Sequence, residues 1–357
     1  MKHVLLRYPS LWPALLIALV ISGCATRPGT FAPRKGDEIV VAGKYVHTGT
    51  PVVLWTDPGG YDAYRVERRF APLAESDFET TKEKVKDIKS PARYNMRKGD
   101  LTPEEVERVR GGGWDLPTLQ RVVDQFVLHF DVAGTSRTCF KVLHDNRGLS
   151  VHFMLDVDGT LYQTLDLKER AWHATTSNNR SVGIEIANMG AYPLKDNKTL
   201  DEWYKKDASG HTVMTIPARY GEHPVRTPNF HGKPVRRDPV VGVVQGHELK
   251  QYDYTREQYE ALAHLTAALS SVFPKIHCDY PRGADGKLIT KKLPDPELNK
   301  YEGVMGHYHI QTNKTDPGPA MQWDYVIGKA RKLMGHRAEH GAEGLLHPVS
   351  AVLIVDN

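Results

Sequence analysis

The chain has 357 residues, 40% hydrophobic and 25% charged, with no low-complexity tract, a composition that suits a folded protein with a sizeable core. The formal net charge of +4 is too small to imply nucleic acid, and no basic run is interleaved with aromatics as a nucleic-acid groove requires. What remains is a mixed, mildly basic surface, compatible with acidic peptides or polymers.

At the N-terminus, Lys2, His3 and Arg7 precede an apolar run from Leu11 to Ile21. That run is shorter than the ~20 apolar residues a spanning helix needs, so it reads as an export signal. It closes in Ile21-Ser22-Gly23-Cys24, small residues before a cysteine, which is similar to a bacterial lipobox. The similarity implies a signal peptide over 1–23, cleavage before Cys24, and a lipid anchor on that residue. Several acyl chains at ~0.8 kcal/mol per buried CH₂ anchor a protein stably to a membrane. Ala25 and Thr26 follow with no aspartate, which points to the outer membrane of a Gram-negative cell, facing the periplasm. Residues 24–36 are polar, with proline and glycine, and read as a tether.

Residues 37–117 form an N-terminal segment whose function is not readable. A strand pair is expected over Glu38–Val46 and Val52–Trp55, split by the HTGTP turn. A short helix is expected at Pro103–Arg110, opened by a Thr102/Glu105 capping box and closed by Gly111-Gly112-Gly113. Beyond it, Val122–Phe130 is a buried strand candidate, and Val151–Asp156 and Thr160–Leu165 flank the hairpin signal Asp158-Gly159. Val182–Ala187 is another apolar strand. Thr255 and Gln258 open a helix that carries Tyr259, Leu262, Thr266, Leu269 and Phe273 on one face. A last helix is expected from Pro319 to about Met334, stopped by Gly335. Two long stretches, 192–245 and 279–301, are expected as surface insertions at the rim of a site. The tail, 336–357, ends in apolar VSAVLIV, an edge strand or a docking arm. Cys139 and Cys278 are the cysteines left after the lipobox. The absence of C-x-x-C excludes a cysteine-rich zinc site, while a disulfide and two buried thiols both stay open.

Three blocks carry chemistry: VLHFD around His129, SVGIEIAN around Glu185, and GHYHIQTNKTDPGP from Gly306 to Pro319. The last holds His307, Lys314 and Asp316. Neutral imidazole and carboxylate are ligands that suit Zn²⁺, and a lysine among them can stabilise developing negative charge. His129 ends an apolar strand, where its side chain can project from the sheet edge; alone, it reads better as a satisfied core or edge histidine. His309 lies two residues from His307, on the same side in an extended segment, and is a rival ligand. Glu185, between Ile184 and Ile186, is costly to bury unless paired or functional.

These blocks, in this order, resemble the zinc-dependent N-acetylmuramoyl-L-alanine amidases of the Amidase_2 type, relatives of the peptidoglycan recognition proteins. The resemblance runs from about residue 120 to 325. It implies an α/β or α+β fold, a mixed central β-sheet flanked by helices, within an amidase domain over 118–335. It also implies one zinc ion held by His129, His307 and Asp316, Glu185 as general base and acid, and Lys314 at the oxyanion. Ala171-Trp172-His173-Ala174 and Asn178 match blocks that line the substrate groove, so Trp172, His173 and Asn178 are expected on the substrate side. His152 matches a strand histidine with a structural or supporting role. Against that resemblance, the loop from His307 to Asp316 reads one residue shorter than in similar glutamate-using amidases. The function implied is hydrolysis of the amide between N-acetylmuramic acid and L-alanine in peptidoglycan or muropeptides. A non-catalytic peptidoglycan-binding lipoprotein is the alternative; such proteins typically lose a zinc ligand.

Overall fold

In the computed structural model, which describes residues 34–65, 67–76, 94–196, 198–221 and 224–335, the chain opens with a hairpin. β1 (Glu38–Val41) and β2 (Lys44–His47) pair antiparallel around Ala42 and Gly43, whose φ angles of 48° and 74° are both positive. Asp166 holds this turn by accepting from both backbone N–H groups, at 2.8 and 2.7 Å. The expected pairing of 38–46 with 52–55 therefore does not form. β3 (Val52–Leu54) instead becomes an edge strand of the central sheet. The expected signal peptide, Cys24, most of the tether, and the tail lie outside the described residues. Among the described residues no helix is long and apolar enough to cross a membrane.

β4 (Tyr94–Met96) is followed by α1 (Pro103–Arg110), which starts on the Thr102/Glu105 capping box and ends at Gly111. α2 (Leu116–Val122), capped by Asp115, takes the first residue of the expected 122–130 strand, so β5 runs over Gln125–Phe130. α3 (Ser136–Phe140) continues into a wider helical turn over Lys141–Asn146. β6 (Phe153–Leu155) and β7 (Leu161–Gln163) form the hairpin expected at Asp158-Gly159. β8 (Glu169–Ala171) pairs with β4, and β9 spans Ser181–Ile186.

The first insertion folds as β10 (Tyr192–Pro193), α4 (Lys198–Trp203), β11 (Tyr204–Lys206), β12 (Thr212–Met214), β13 (Val240–Val244) and β14 (His247–Gln251). It has its own small core around Leu200, Trp203 and Tyr204. α5 (Arg256–Val272) starts on the Thr255/Gln258 capping box and buries Tyr259, Leu262, Leu265 and Leu269. Each such leucine contributes about 1.5–3 kcal/mol by leaving water. α6 (Asp295–Leu298) and β15 (Gly303–Gly306) lead to α7 (Trp323–Leu333). α7 begins later than Pro319, because residues 316–320 are drawn into the core: the Ala320 N–H donates to buried Gln251 Oε1 at 2.9 Å, and Pro317 O accepts from Tyr254 Oη at 2.7 Å.

The central sheet has six strands in the order β15-β5-β9-β6-β7-β3, all neighbours parallel except β6 and β7. Side chains alternate across a strand, so each strand feeds two layers. Phe126, Leu128, Phe153, Leu155, Val182, Ile184 and Ile186 pack in the main core with α5 and α7. On the opposite face Met154, Tyr162 and Val53 pack with Cys139 and Phe140 of α3. This is the mixed α/β sheet with helices on both faces that the sequence leads one to expect. The two cysteines serve different layers: Cys139 lies in the α3 layer, whereas Cys278 packs against the main core and donates its thiol to Ile327 O at 3.8 Å. Both are free thiols, so the disulfide alternative falls.

Candidate active site

The parallel register of β5 and β9 sets His129 directly beside Glu185. With period 2, Phe126, Leu128, Ile184 and Ile186 take the α5 face, and His129 and Glu185 share the other. β15 runs parallel on the far side of β5, with Gly306 beside Leu128, so His307 leaves its strand next to His129. All three residues therefore stand at carboxyl ends of parallel strands, where open α/β sheets present their binding crevices. Gly306 has no room for a side chain. A Cβ there would meet Pro317 Cδ at 2.6 Å, and this close passage brings the 316–317 segment against the sheet.

His129 Nδ1, His307 Nδ1 and Asp316 Oδ2 form a triangle with sides of 3.0, 2.8 and 3.0 Å, all three residues buried. The outer ring nitrogens are engaged elsewhere. His307 Nε2–H donates to Gln311 Oε1 at 2.6 Å, and His129 Nε2–H donates to His173 Nδ1 at 3.0 Å. His173 Nε2–H continues to Ser181 Oγ at 3.2 Å. These partners assign the protons to the outer nitrogens and leave both Nδ1 lone pairs facing one carboxylate oxygen. Three acceptors turned on one point call for a cation, and two imidazoles with one carboxylate suit zinc. Burial, reinforced by His307, pulls the His129 imidazole down to about 4. For Asp316, burial works upward, but the two imidazoles outweigh it and hold the carboxyl well below the ordinary carboxylate range.

His309, the rival ligand, is fully buried and turned away. Its Nδ1 accepts from the Gly306 N–H at 2.9 Å, and its Nε2–H donates to Ile289 O at 2.6 Å. A tight helical turn over His307–His309 replaces the extended backbone that would have put both rings on one side.

A pocket of about 750 Å³ opens on the triad. Glu185 lines it, and its Oε2 is closed to solvent and meets no hydrogen-bond donor among the described residues. Burial pushes its carboxyl well up, Asp316 and Asp131 add to this, and Lys314 and Arg147 oppose it. Lys314 lines the same pocket half-buried, and its ammonium meets no acceptor among the described residues. The other wall is α3 and the turn after it, through Cys139, Val142, Leu143 and Arg147. Among the described residues neither insertion contributes a lining residue to this pocket.

The family profile described as N-acetylmuramoyl-L-alanine amidase, Amidase_2, matches residues 119–319. The chain belongs to this amidase family. No functionally curated protein matches it. Among solved structures, a selenomethionine AmpD derivative is similar at 17% identity and a TM-score of 0.30, over 67% of this chain and 90% of that one. AmpDh3 from Pseudomonas aeruginosa, in complex with anhydromuramic pentapeptide, is 19% identical at a TM-score of 0.32, over 58% of this chain and 59% of that one. The amidase AmiD from E. coli, in complex with anhydro-N-acetylmuramic acid-L-Ala-D-gamma-Glu-L-Lys, is 17% identical at a TM-score of 0.33, over 60% and 58% respectively.

Within this amidase-family chain the residues expected on the substrate side part company. Trp172 lines the pocket with the Arg170 guanidinium 4.3 Å from its ring centroid. His173 also lines it, but both its ring nitrogens serve His129 and Ser181. Asn178 lines it as well but is 2% exposed, and its Oδ1 accepts from the His173 and Ala174 N–H groups at 3.0 and 2.7 Å, so it shapes the 173–178 loop. His152 is structural: its Nδ1 accepts from the Gly183 N–H at 3.1 Å and its Nε2–H donates to Glu169 O at 3.0 Å. Arg97, from the N-terminal segment, lies 2.9 Å from that Nε2 and donates to the Leu167, Asn179 and Ser181 carbonyls.

Sequence reasoning missed Gln311 and Asp131. Gln311 stands four residues after His307, one helical turn on, which is a readable spacing once that segment is known to be helical. Asp131 stands two residues after His129 and lines the pocket; its Oδ1 accepts from the Ala133, Gly134 and Asn188 N–H groups at 2.9, 3.0 and 3.1 Å. Its burial pushes the carboxyl up to about 7.

Proposed function

We propose that this chain is a zinc-dependent N-acetylmuramoyl-L-alanine amidase that cuts the amide between N-acetylmuramic acid and L-alanine in peptidoglycan or muropeptides. The observation that carries the reading is the convergence of His129 Nδ1, His307 Nδ1 and Asp316 Oδ2 in a pocket that Glu185 and Lys314 also line. Those three residues would hold one zinc ion. When bound, such a metal lowers the pKa of a water to ~7 and polarises a carbonyl.

The chain's own groups supply the rest. Glu185 takes the proton of the attacking water and returns it to the departing L-alanine amine, the two halves of general base and acid catalysis. Its place in the pocket wall, directly beside His129 in the strand register, supports this role. The Lys314 ammonium balances the negative charge that develops on the lactyl carbonyl oxygen. His173 and Gln311 hold the two imidazoles in orientation. Trp172 offers an indole surface to the substrate. The alternative, a recognition protein that binds without cutting, is disfavoured by the presence of the complete ligand set together with Glu185. The lipobox at Cys24 supports a cell-envelope lipoprotein, anchored in the outer membrane and facing the periplasm.

Digestion of purified sacculi and of soluble muropeptides, with mass analysis of the products, tests the reading. The expected products are glycan bearing free lactyl carboxyls and intact stem peptides beginning with L-alanine. Glu185→Gln should retain zinc and lose ~10²–10⁴-fold in turnover, while Asp316→Ala and His129→Ala should lose the metal itself. Binding without release of stem peptide by the zinc-loaded wild type would favour the recognition protein, and full zinc occupancy in the ligand variants would refute the site.

A further inference from the structure

A second cleft, about 410 Å³, lies against the other side of the helix that walls the candidate active site. The helical period puts Arg137, Thr138 and Lys141 on one face and Cys139, Val142 and Leu143 on the opposite one. The second group faces the pocket that holds Glu185, and the first lines the new cleft together with Phe70, Arg219 and Tyr220. Among the described residues the lining therefore holds three cations, two aromatic rings and two hydroxyls, and no carboxylate.

The cleft is assembled from three separated stretches, each held in place. Asp145, at the end of the helical turn, accepts from the Arg69 and Phe70 N–H groups, both at 2.9 Å, which fixes the Phe70 loop to the helix. The Phe70 ring meets Phe140 edge-on at 6.4 Å. Tyr220, from the first insertion, meets Trp203 of the insertion core edge-on at 4.9 Å. The three cations are not equivalent. Arg219 is paired with Glu202 through both terminal guanidinium nitrogens while its guanidinium carbon lies 5.1 Å from the Tyr220 ring centroid. Arg137 lies 5.3 Å from the Phe70 ring centroid, and neither Arg137 nor Lys141 has a carboxylate partner among the described residues. Two exposed cations without a carboxylate partner among the described residues, in a cleft that two aromatic rings also line, form a receptor for an acidic ligand that also carries sugar rings.

We propose that this cleft binds an uncut stretch of peptidoglycan next to the one in the active site, with stem-peptide carboxylates at Arg137 and Lys141 and a sugar ring against Tyr220. The inference rests on the amidase reading and deepens it. A polymer held at two places on one helix gains effective concentration at the second, whereas a single muropeptide reaches only one. The enzyme then favours polymeric wall over soluble fragments.

The test uses the full chain carrying Glu185→Gln, co-sedimented with purified sacculi, against the same chain with Arg137→Glu and Lys141→Glu added. Reversing two such contacts should weaken binding roughly tenfold and remove most of its salt dependence. In the active enzyme the same pair should raise KM for sacculi by about the same factor and leave kcat/KM for one soluble muropeptide within about twofold. Arg137→Gln with Lys141→Gln should fall between, and matching circular dichroism and melting curves establish that all variants fold. Equal losses on both substrates, or none on either, would overturn the proposal. So would a reversal that abolishes binding to vesicles containing phosphatidylglycerol but spares sacculi, since the cleft would then face the membrane. If the wild type cleaves neither substrate, the amidase reading fails, and the sedimentation series still decides the cleft.

Discussion

Gly183→Ala isolates the support behind His129. An added Cβ would stand 2.4 Å from His173 Nδ1 and Cε1, where ordinary contact is about 3.5 Å, so the ring must retreat by about 1 Å. That is enough to break the 3.0 Å hydrogen bond from His129 Nε2, since it would lengthen to about 4 Å. The backbone itself does not resist, because Gly183 lies within β9 and has no positive φ. Overpacking of this kind costs about 1–3 kcal/mol, and loss of an outer partner of a metal-bound histidine typically costs about 10–100-fold in metal affinity. Urea unfolding would read the first effect, and competition with a chromophoric zinc chelator the second. In a His173→Ala background the clash is gone, so Gly183→Ala should then be neutral within about 0.5 kcal/mol. An equal destabilisation in both backgrounds, or unchanged zinc affinity in the single variant, would refute the reasoning.

Lys314→Met should lower kcat about 10²–10³-fold with little change in KM and with zinc retained; a rise in KM alone would make Lys314 a substrate-binding residue. For His152, burial and the nearby Arg97 charge pull the imidazole down to about 3, against ~6.5 when unfolded. The unfolded chain binds the proton first as pH falls, so the folded state loses roughly 2 kcal/mol at this group between pH 8 and pH 5. His152→Gln should lack that share of the loss in chemical unfolding at the two pH values, and an unchanged pH slope would count against it. Cys24→Ser should leave an unprocessed precursor without acyl mass, measured by intact-mass spectrometry and fractionation. A wild-type protein that is soluble and carries no acyl mass would rule out the lipid anchor.

What the sequence determined by itself is the part of the structure made by neighbours along the chain. Thr102 with Glu105 and Thr255 with Gln258 start their helices because the capping bonds close within three residues, and Asp158-Gly159 turns β6 into β7 because the turn needs nothing distant. Glu185, between Ile184 and Ile186, is likewise marked by alternation as facing away from their layer. Tertiary structure alone decided whatever depends on a remote group. β1 turns at Ala42 because Asp166 reaches it across 124 positions, and β3 finds β7 rather than its neighbour in sequence. His309 is withdrawn from the triad by a carbonyl at Ile289, and His129 is oriented by His173. The cysteines stay apart because the sheet separates their layers. A side chain's residue type sets which bonds it can make, but the atom that takes up each bond is supplied by packing, and packing joins groups that no local pattern relates.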